Sequence, residues 1–154
     1  MRYEYKSIKI FAQGGEAIKA AEILRDEIES RTGVMPQMAE SEEADISLIA
    51  DPNGLRDGYK IEQSGSRLVF RAQGVRGLIF AIGMFLRKIE VSGEKITLIQ
   101  DIGGEYKPDK RIRGHQLGYR TTPNSYDAWD LKDYRRYYLD LMFFGCNTVE
   151  HIPY

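Results

Sequence analysis

Several features that define large classes of protein are scarce or missing in this chain of 154 residues. Cys146 is its one cysteine, so a framework of disulfide bonds is excluded. No basic residue flanks this cysteine in the run MFFGC, and we therefore expect a buried thiol rather than a nucleophile. The longest apolar run begins at Val75 and is too short, and too charged at its ends, to span a bilayer. We therefore expect no membrane partner.

Two further absences concern charge and targeting. The formal net charge is -1, and the Lys and Arg residues are scattered along the chain. Because nucleic-acid binding needs a local basic stripe, we expect no nucleic-acid partner. The first residues, MRYEYKSIKIF, lack the long apolar segment of a secretory signal. This indicates either a cytoplasmic protein or one whose leader has been removed.

The elements that are present are organised around one stretch, Gly58–Glu90. Its first half alternates apolar and polar residues on either side of Ser-Gly-Ser, which predicts a β-hairpin. Over Val75–Ile89 the apolar residues recur every three or four positions, which predicts a helix. Phe80 and Met84 widen its apolar face, and Gly83 beside them would let another backbone approach closely. We expect this helix to be covered both by its own sheet and by a second partner.

The elements before residue 103 complete one α/β unit, which we expect to span residues 1–102. Glu16–Arg31 has the alanine-rich apolar face of an amphipathic helix, followed by a glycine stop. The predicted order is β-α-β-β-β-β-α-β. It corresponds to a two-layer α+β fold in which a mixed β-sheet carries two helices on one face. The remaining predicted strands are Lys6–Phe11, Val34–Met38, Ile46–Ala50 and Ile96–Ile99.

A second unit follows a predicted linker at residues 103–110, GGEYKPDK. Residues 111–154 contain one strand–helix–strand repeat, whose right-handed crossover implies a parallel pair of strands. Asp130 precedes the helix as its N-cap. A single repeat cannot close a sheet, so the pattern is typical of the beginning of a larger α/β architecture. The predicted elements are the strand Ile112–Tyr119, the polar loop Arg120–Asp130, the helix Leu131–Phe144 and the strand Asn147–Ile152.

This layout resembles the front of a known class of enzymes. The stretches that carry the resemblance are AAEILRDEIESRTGV, ADISLIADP, DGYKIEQSGSRLVFRAQGVRGLIFAIGMFLRKI, and RIRGHQLGYR followed by YRRYYLDLMFFGCNTVEHIP. They are similar to the N-terminal α/β domain and linker of glycoside hydrolases related to β-hexosaminidases and bacterial α-glucuronidases, followed by the first turn of their (β/α)8 barrel. The resemblance implies that the paired catalytic carboxylates come from later barrel strands, which are absent from this chain.

The chemistry of glycoside hydrolysis leads to the same expectation. The reaction generally needs two carboxyl groups about 5–10 Å apart across the scissile bond. The candidates in the second unit are Asp127, Asp130 and Glu150. Asp130 is better explained as a helix cap, and Asp127 as a loop residue. No pair of acid and nucleophile emerges, and we predict that this chain is not catalytic by itself.

Candidate sugar contacts follow from the barrel that the resemblance implies, because ligands lie at the C-terminal ends of barrel strands. Arg120 can donate paired hydrogen bonds to sugar hydroxyls or to a uronate carboxylate, or it can form an ordinary surface ion pair. Trp129 can stack on a sugar ring or pack beneath its loop. The predicted substrate-binding residues are Tyr119, Arg120, Trp129, Glu150 and His151.

No metal and no cofactor is expected. His115, His151 and Glu150 lack the local spacing of a metal site. The position of His115 in the middle of a strand is typical of a buried, hydrogen-bonded histidine. The glycine pairs at Gly14-Gly15 and Gly103-Gly104 lack the fuller pattern of a phosphate loop and are expected to be turns.

Two functions from different classes remain open. In the first, the chain is the non-catalytic N-terminal part of a carbohydrate-active hydrolase and supports the catalytic barrel. The apolar face of the helix that begins at Val75 would contact the barrel, and would be exposed or self-associated when the barrel is missing. In the second, the chain is a self-contained interaction module whose segment Arg111–Tyr154 docks on its own sheet or on a second copy.

Overall fold

The computed structural model describes residues 1–117 and 128–151, the last residue through its backbone alone. These residues form two sheets, a separate pair of strands and three helices. In chain order the elements are β1 (Tyr3–Tyr5), β2 (Lys9–Gln13), α1 (Gly15–Thr32), β3 (Gln37–Met38), β4 (Ile46–Ala50), β5 (Tyr59–Ser64), β6 (Arg67–Ala72), α2 (Val75–Leu86), β7 (Ile89–Ser92), β8 (Lys95–Leu98), β9 (Gly104–Tyr106), β10 (Gly114–Leu117), α3 (Leu131–Phe143) and β11 (Thr148–His151).

The largest feature is a six-stranded mixed sheet in the order β3-β2-β4-β6-β5-β9. The first four of these strands run parallel, and the last two are antiparallel to their neighbours. The predicted hairpin is present as β5 and β6, with Ile61 opposite Phe70. The structure therefore confirms the predicted mixed α/β fold.

Helices α1 and α2 pack against this sheet and against each other, so they lie on the same face of it. Helix α1 buries the residues at helical spacing on its alanine-rich side, including Leu24. Helix α2 is apolar around most of its circumference, and Phe85 is completely buried. The rings of Phe70 and Phe85 lie 6.3 Å apart between centroids. The core thus lies between the two helices and the sheet.

A second sheet of three strands, in the order β1-β8-β7, lies apart from the large sheet. The prediction that the helix continues to Ile89 is wrong, because α2 ends at Leu86 and Ile89 pairs with Leu98. An apolar residue at helical spacing is equally compatible with a strand that begins just after the helix ends. The strand predicted at Ile96–Ile99 is present as β8, the central strand of this small sheet, and does not join the large one.

Part of the predicted linker is also a strand. β9 pairs antiparallel with β5 at the edge of the large sheet. The ring of Tyr106 stacks on that of Tyr59, with 4.8 Å between the centroids. Burial of Tyr59 raises the pKa of its hydroxyl to about 12. Residues 104–106 therefore extend the sheet, and they are not a free connector.

The second unit contains the predicted strand–helix–strand repeat. β10 and β11 are parallel, with Gly114 opposite Thr148. Glycine is required here, because a Cβ at Gly114 would lie 2.6 Å from the carbonyl oxygen of Thr148. The carboxylate of Asp130 accepts hydrogen bonds from two backbone N–H groups in the first turn of α3. The parallel pairing and the N-cap are both confirmed.

The outer face of α2 is covered by α3, so the apolar patch that was predicted to be exposed or self-associated without the barrel is not exposed in this chain, and self-association stays a prediction. A Cβ at Gly83 would lie 2.1 Å from the carbonyl oxygen of Phe143 and 2.5 Å from its Cα. The two helix backbones therefore touch at Gly83, as the sequence indicated. Phe143 and Leu139 are buried at this contact, with 4% and 9% of their surfaces exposed. The chain supplies its own cover for α2.

Charged groups join α3 to α1 as well. Glu27 of α1 is only 5% exposed, and its carboxylate forms ion pairs with Arg136 of α3 and with Arg31 in its own helix. Arg135 pairs more loosely with Asp26, at 3.6 Å. A carboxylate removed from water needs such partners, because the lost hydration is otherwise not replaced. Helix α3 is thus held by polar as well as apolar contacts.

The contact at Gly83 gives a first prediction, the effect of Gly83→Ala. In an unobstructed helix this change stabilises by about 1 kcal/mol, because alanine has the higher helix propensity. Here the new methyl group meets backbone atoms of α3 that cannot rotate away. We expect a net loss of about 1–3 kcal/mol in the free energy of unfolding, as in other overpacked cores. Urea unfolding followed by circular dichroism measures it.

Gly15→Ala is the matched control, because a Cβ at Gly15 would meet nothing within 4 Å. This change in α1 is expected to be neutral or slightly stabilising. Equal effects of the two substitutions would contradict the close contact between α2 and α3.

Candidate functional site

The parallel pair β10–β11 has two faces of different character. Side chains alternate between the two faces along a strand. Leu117 is buried, and the Nδ1 atom of His115 is hydrogen-bonded to the hydroxyl of Tyr137 in α3, so these side chains face the helix. Gln116 and its neighbour Glu150 point to the opposite face. That face is polar and uncovered by the described parts of the chain.

The expectation of a buried His115 is wrong. The residue is exposed, although its ring is hydrogen-bonded and lies edge-on to Tyr137, with 5.8 Å between the centroids. The reason is that the described residues give β10 one partner strand, β11, and place no strand on its other side.

The polar face carries a pair of side chains, Gln116 and Glu150. They are direct neighbours across the two strands, and Nε2 of Gln116 donates a hydrogen bond of 3.0 Å to Oε2 of Glu150. Both residues are exposed and lie one position before the last paired residues of their strands. An amide next to a carboxylate offers both donors and acceptors to a polyhydroxylated ligand.

Gln116 is absent from the residues predicted from the sequence. Two observations identify it. Side chains alternate along the strand, so the neighbour of the buried Leu117 points to the opposite face, and the parallel register places that neighbour beside Glu150. The sequence alone does not say which side of the strand the helix covers.

Trp129 lies in an aromatic cluster on α3. Its ring centroid is 5.4 Å from that of Tyr134 and 5.2 Å from that of Tyr137, and its ring is half-buried. These contacts agree with the packing interpretation of Trp129, in which the ring closes the beginning of the helix.

Asp130 is used by the helix. Its Oδ1 accepts hydrogen bonds from the backbone N–H groups of Lys132, at 2.7 Å, and Asp133, at 3.0 Å. The carboxylate of Asp133 accepts in return from the backbone N–H of Asp130, at 3.1 Å. This reciprocal pair is a capping box, which satisfies donors at the start of a helix. The predicted structural role of Asp130 is confirmed.

The other candidate residues cannot be placed in this arrangement. Tyr119, Arg120 and Asp127 lie outside the described residues, and His151 is described only as the backbone partner of Leu117. Their contacts with a sugar therefore stay predictions.

The described residues also bear on metals and membranes. Within residues 1–117 and 128–151, no group of three or more His, Cys, Asp or Glu side chains is placed to hold a metal ion. Over the same ranges, no helix combines the length and the hydrophobicity needed to cross a membrane.

Cys146 is half-buried, less than expected, because it lies beside a small cavity that Tyr138 and Val149 also line.

Solved structures share this fold. A GH20 exo-β-N-acetylglucosaminidase from Vibrio harveyi, in complex with N-acetylglucosamine, matches 98% of this chain with a TM-score of 0.75 and 15% identity. The chain has the fold of part of a GH20 hexosaminidase. A β-N-acetylhexosaminidase from Bacteroides fragilis matches 98% of the chain with a TM-score of 0.69 and 14% identity. A β-N-acetylhexosaminidase from Streptomyces coelicolor matches 97% of the chain with a TM-score of 0.70 and 15% identity.

This chain spans less than a third of those GH20 chains: 23% of the Vibrio protein, 30% of the Bacteroides protein and 31% of the Streptomyces protein. No protein-family model and no curated protein matches the sequence. The resemblance to β-hexosaminidases is therefore confirmed through the fold.

The cap at Asp130 gives a second prediction. Asp130→Ala removes the acceptor for two backbone N–H groups, and N-cap losses of this kind cost about 1 kcal/mol. Asp130→Asn should retain most of the stability, because asparagine is an equally good N-cap. Thermal and urea unfolding of the two variants measure the difference. If both variants lost the same stability, the negative charge rather than the cap would be the stabilising feature.

Proposed function

We propose that this chain is the non-catalytic N-terminal part of a carbohydrate-active glycoside hydrolase. In this proposal residues 1–102 form an accessory α/β domain, residues 103–110 the connection, and residues 111–154 the first β-α-β unit of a (β/α)8 barrel. The observation that carries the proposal is the parallel pair β10–β11, which has a polar face that no described residue covers and occurs in a chain with the fold of part of a GH20 enzyme.

An isolated pair of parallel strands is an incomplete structure. Parallel sheets are covered on both faces and contain more than two strands, because helices of successive βα units pack against them. Here α3 covers one face, and Gln116 and Glu150 occupy the other. In a barrel this second face would line the interior, and the ends of the strands would lie at the ligand-binding side.

A supporting role for the N-terminal domain follows from its contacts. It holds α3 through the apolar surface of α2 and through Glu27, so the first barrel unit would be built on a fixed base. The described residues offer no pair of carboxylates suited to acid and nucleophile. Asp130 caps a helix, and Glu150 accepts a hydrogen bond from the side-chain amide of Gln116. Catalysis would need groups from further strands.

The substrate in this proposal is a carbohydrate that enters the completed barrel. One GH20 structure with the same fold contains N-acetylglucosamine. The proposed sugar contacts of this chain are Glu150, with Tyr119, Arg120, Trp129 and His151. Arg120 would suit either sugar hydroxyls or a uronate carboxylate. No metal or cofactor is part of the proposal.

A second candidate function is a self-contained interaction module. The docking of α3 on α2 favours it, because the chain covers the outer apolar face of α2 without another protein. In this case the polar face of β10–β11 would be a binding surface and not the interior of a barrel.

The mass of the native protein distinguishes the two functions and gives a third prediction. Immunoblotting of the source cells with an antibody against residues 1–102 should detect a protein several times heavier than 17.7 kDa. That longer protein should hydrolyse a chromogenic N-acetyl-β-glucosaminide or a glucuronide, whereas the 154-residue chain should not. A native mass of 17.7 kDa would overturn the hydrolase proposal and favour the interaction module.

A further inference from the structure

The two units of the chain meet at a polar cluster centred on Asp57, in the loop before β5. Oδ1 of Asp57 forms an ion pair with Nη2 of Arg76, in the first turn of α2. Oδ2 accepts a hydrogen bond of 3.2 Å from Nδ2 of Asn147, the residue just before β11. One carboxylate thus links the large sheet, helix α2 and the start of a strand in the second unit.

Asn147 in turn holds the segment that leads into β10. Its Oδ1 accepts from the backbone N–H of Arg113 at 2.9 Å, and its Nδ2 donates to the carbonyl of Arg111 at 2.9 Å. The backbone N–H of Asn147 donates to the carbonyl of Arg113 at 2.8 Å. Asn147 therefore pairs with Arg113 through both its backbone and its side chain, as an added rung before the first paired residues of β10 and β11.

The side chain of Arg113 extends the same cluster. Its Nε donates to the carbonyl of Gly145 at 2.8 Å, which fixes the turn between α3 and β11. Its guanidinium lies over the ring of Phe80 in α2, 5.5 Å from the centroid. Arginine favours such a position because its planar cation is attracted to the face of an aromatic ring. Both strands of the pair are therefore tied, at the end where they begin, to α2 and to the loop of Asp57.

We propose that Asp57 is a positioning residue that, through Asn147, sets the register of β10 against β11 and the place of this strand pair on the N-terminal unit. A shift of β10 by one residue would break the bonds from Asn147 to Arg111 and Arg113. It would also move Gln116 to the face that α3 covers. The positioning is a property of this chain, and its consequence for a bound sugar rests on the proposed function.

The residue types at the two positions are matched to these contacts. An amide at position 147 supplies an acceptor for Arg113 and a donor for Arg111 and Asp57, and no charged side chain supplies both. Asn147→Asp keeps the shape of the side chain but removes the donor and places two carboxylates together. It is therefore a specific way to break the contact without opening a cavity.

The charge of Asp57 gives a further prediction, on pH. Burial alone would raise the pKa of this carboxyl, but the hydrogen bond and charge of Arg76, with Asn147 and Arg113, lower the pKa below the ordinary 3.8. Lys107 and Arg113, both cations, line the cavity of about 160 Å³ beside Asp57, together with the hydroxyl-bearing Tyr59 and Tyr106. Because folding lowers the pKa of Asp57, the ionised carboxylate stabilises the native state at pH values above the ordinary pKa of 3.8. This stabilisation is lost as the pH falls through the lower pKa of the native state.

Asp57→Asn should therefore unfold at a lower urea concentration than the unchanged chain at pH 7, and the difference should shrink as the pH is lowered toward 3. Glu94→Gln controls for net charge, because Glu94 is an exposed carboxylate in the β7–β8 turn with no ion pair among the described residues. A difference that stayed constant with pH would contradict the role of the Asp57 charge.

Amide hydrogen exchange of the 154-residue chain tests the positioning itself. Asn147→Asp should make the backbone amides of residues 113 and 147 and of the β10–β11 ladder exchange about tenfold faster. A tenfold change corresponds to the coupling energy that is typical of two directly hydrogen-bonded groups. The amides of β4 and β6 should keep their protection. Asn53→Asp is the matched control, since it makes the same chemical change in the Asp57 loop at an exposed side chain without a hydrogen bond among the described residues.

A cycle of Asp57→Ala, Asn147→Ala and the double variant covers the case in which Asn147→Asp does not fold. The changes in amide exchange rate in β10 and β11 should not add. The rates in the double variant should be close to those in the single variant with the larger change. Additive effects, or faster exchange spread evenly over both units, would overturn the proposal. Neither measurement depends on glycosidase activity. A native mass of 17.7 kDa would therefore overturn the proposed function and leave this inference standing.

Discussion

The rest of the structure depends on the packing of α2 between the large sheet and α3. A helix that is apolar on nearly every side cannot leave one of those sides in water without a large cost. Gly83 makes the second contact possible, because it lets the backbone of α3 reach the backbone of α2. In return, α3 buries Leu139 and Phe143, which would otherwise be exposed. Each unit of the chain thus completes the core of the other.

Apolar packing brings these surfaces together but does not fix their orientation, because the hydrophobic effect has no direction. The polar contacts at the edges of the interface supply the direction. Glu27 meets Arg136 on one side of α3, and Asp57 meets Asn147 where the next strand begins. With two such points and a close backbone contact, the strand pair has one defined position. A fixed position is what the first unit of a barrel would need.

The elements predicted correctly are those whose signals are local. The hairpin around Gly65, helix α1 and the cap at Asp130 follow from periods of two or three to four residues and from capping chemistry. The small sheet escaped prediction because β1 has three residues and pairs with a strand far along the chain. The contact of Asp57 with Asn147 joins residues 90 positions apart and leaves no pattern in the sequence. Gln116 became a candidate only when the side covered by α3 was known.

The pairing of β1 with β8 has a consequence for the order in which the protein can fold during synthesis. Tyr3 pairs with Leu98, so β1 stays without its partner after its synthesis until almost the whole N-terminal unit has been made. Contacts so distant in sequence form late, because closing a long loop costs entropy that local contacts avoid. Helix α2 emerges before α3 and would be transiently uncovered. Between the synthesis of α2 and that of α3, the nascent chain therefore exposes an apolar surface that favours aggregation.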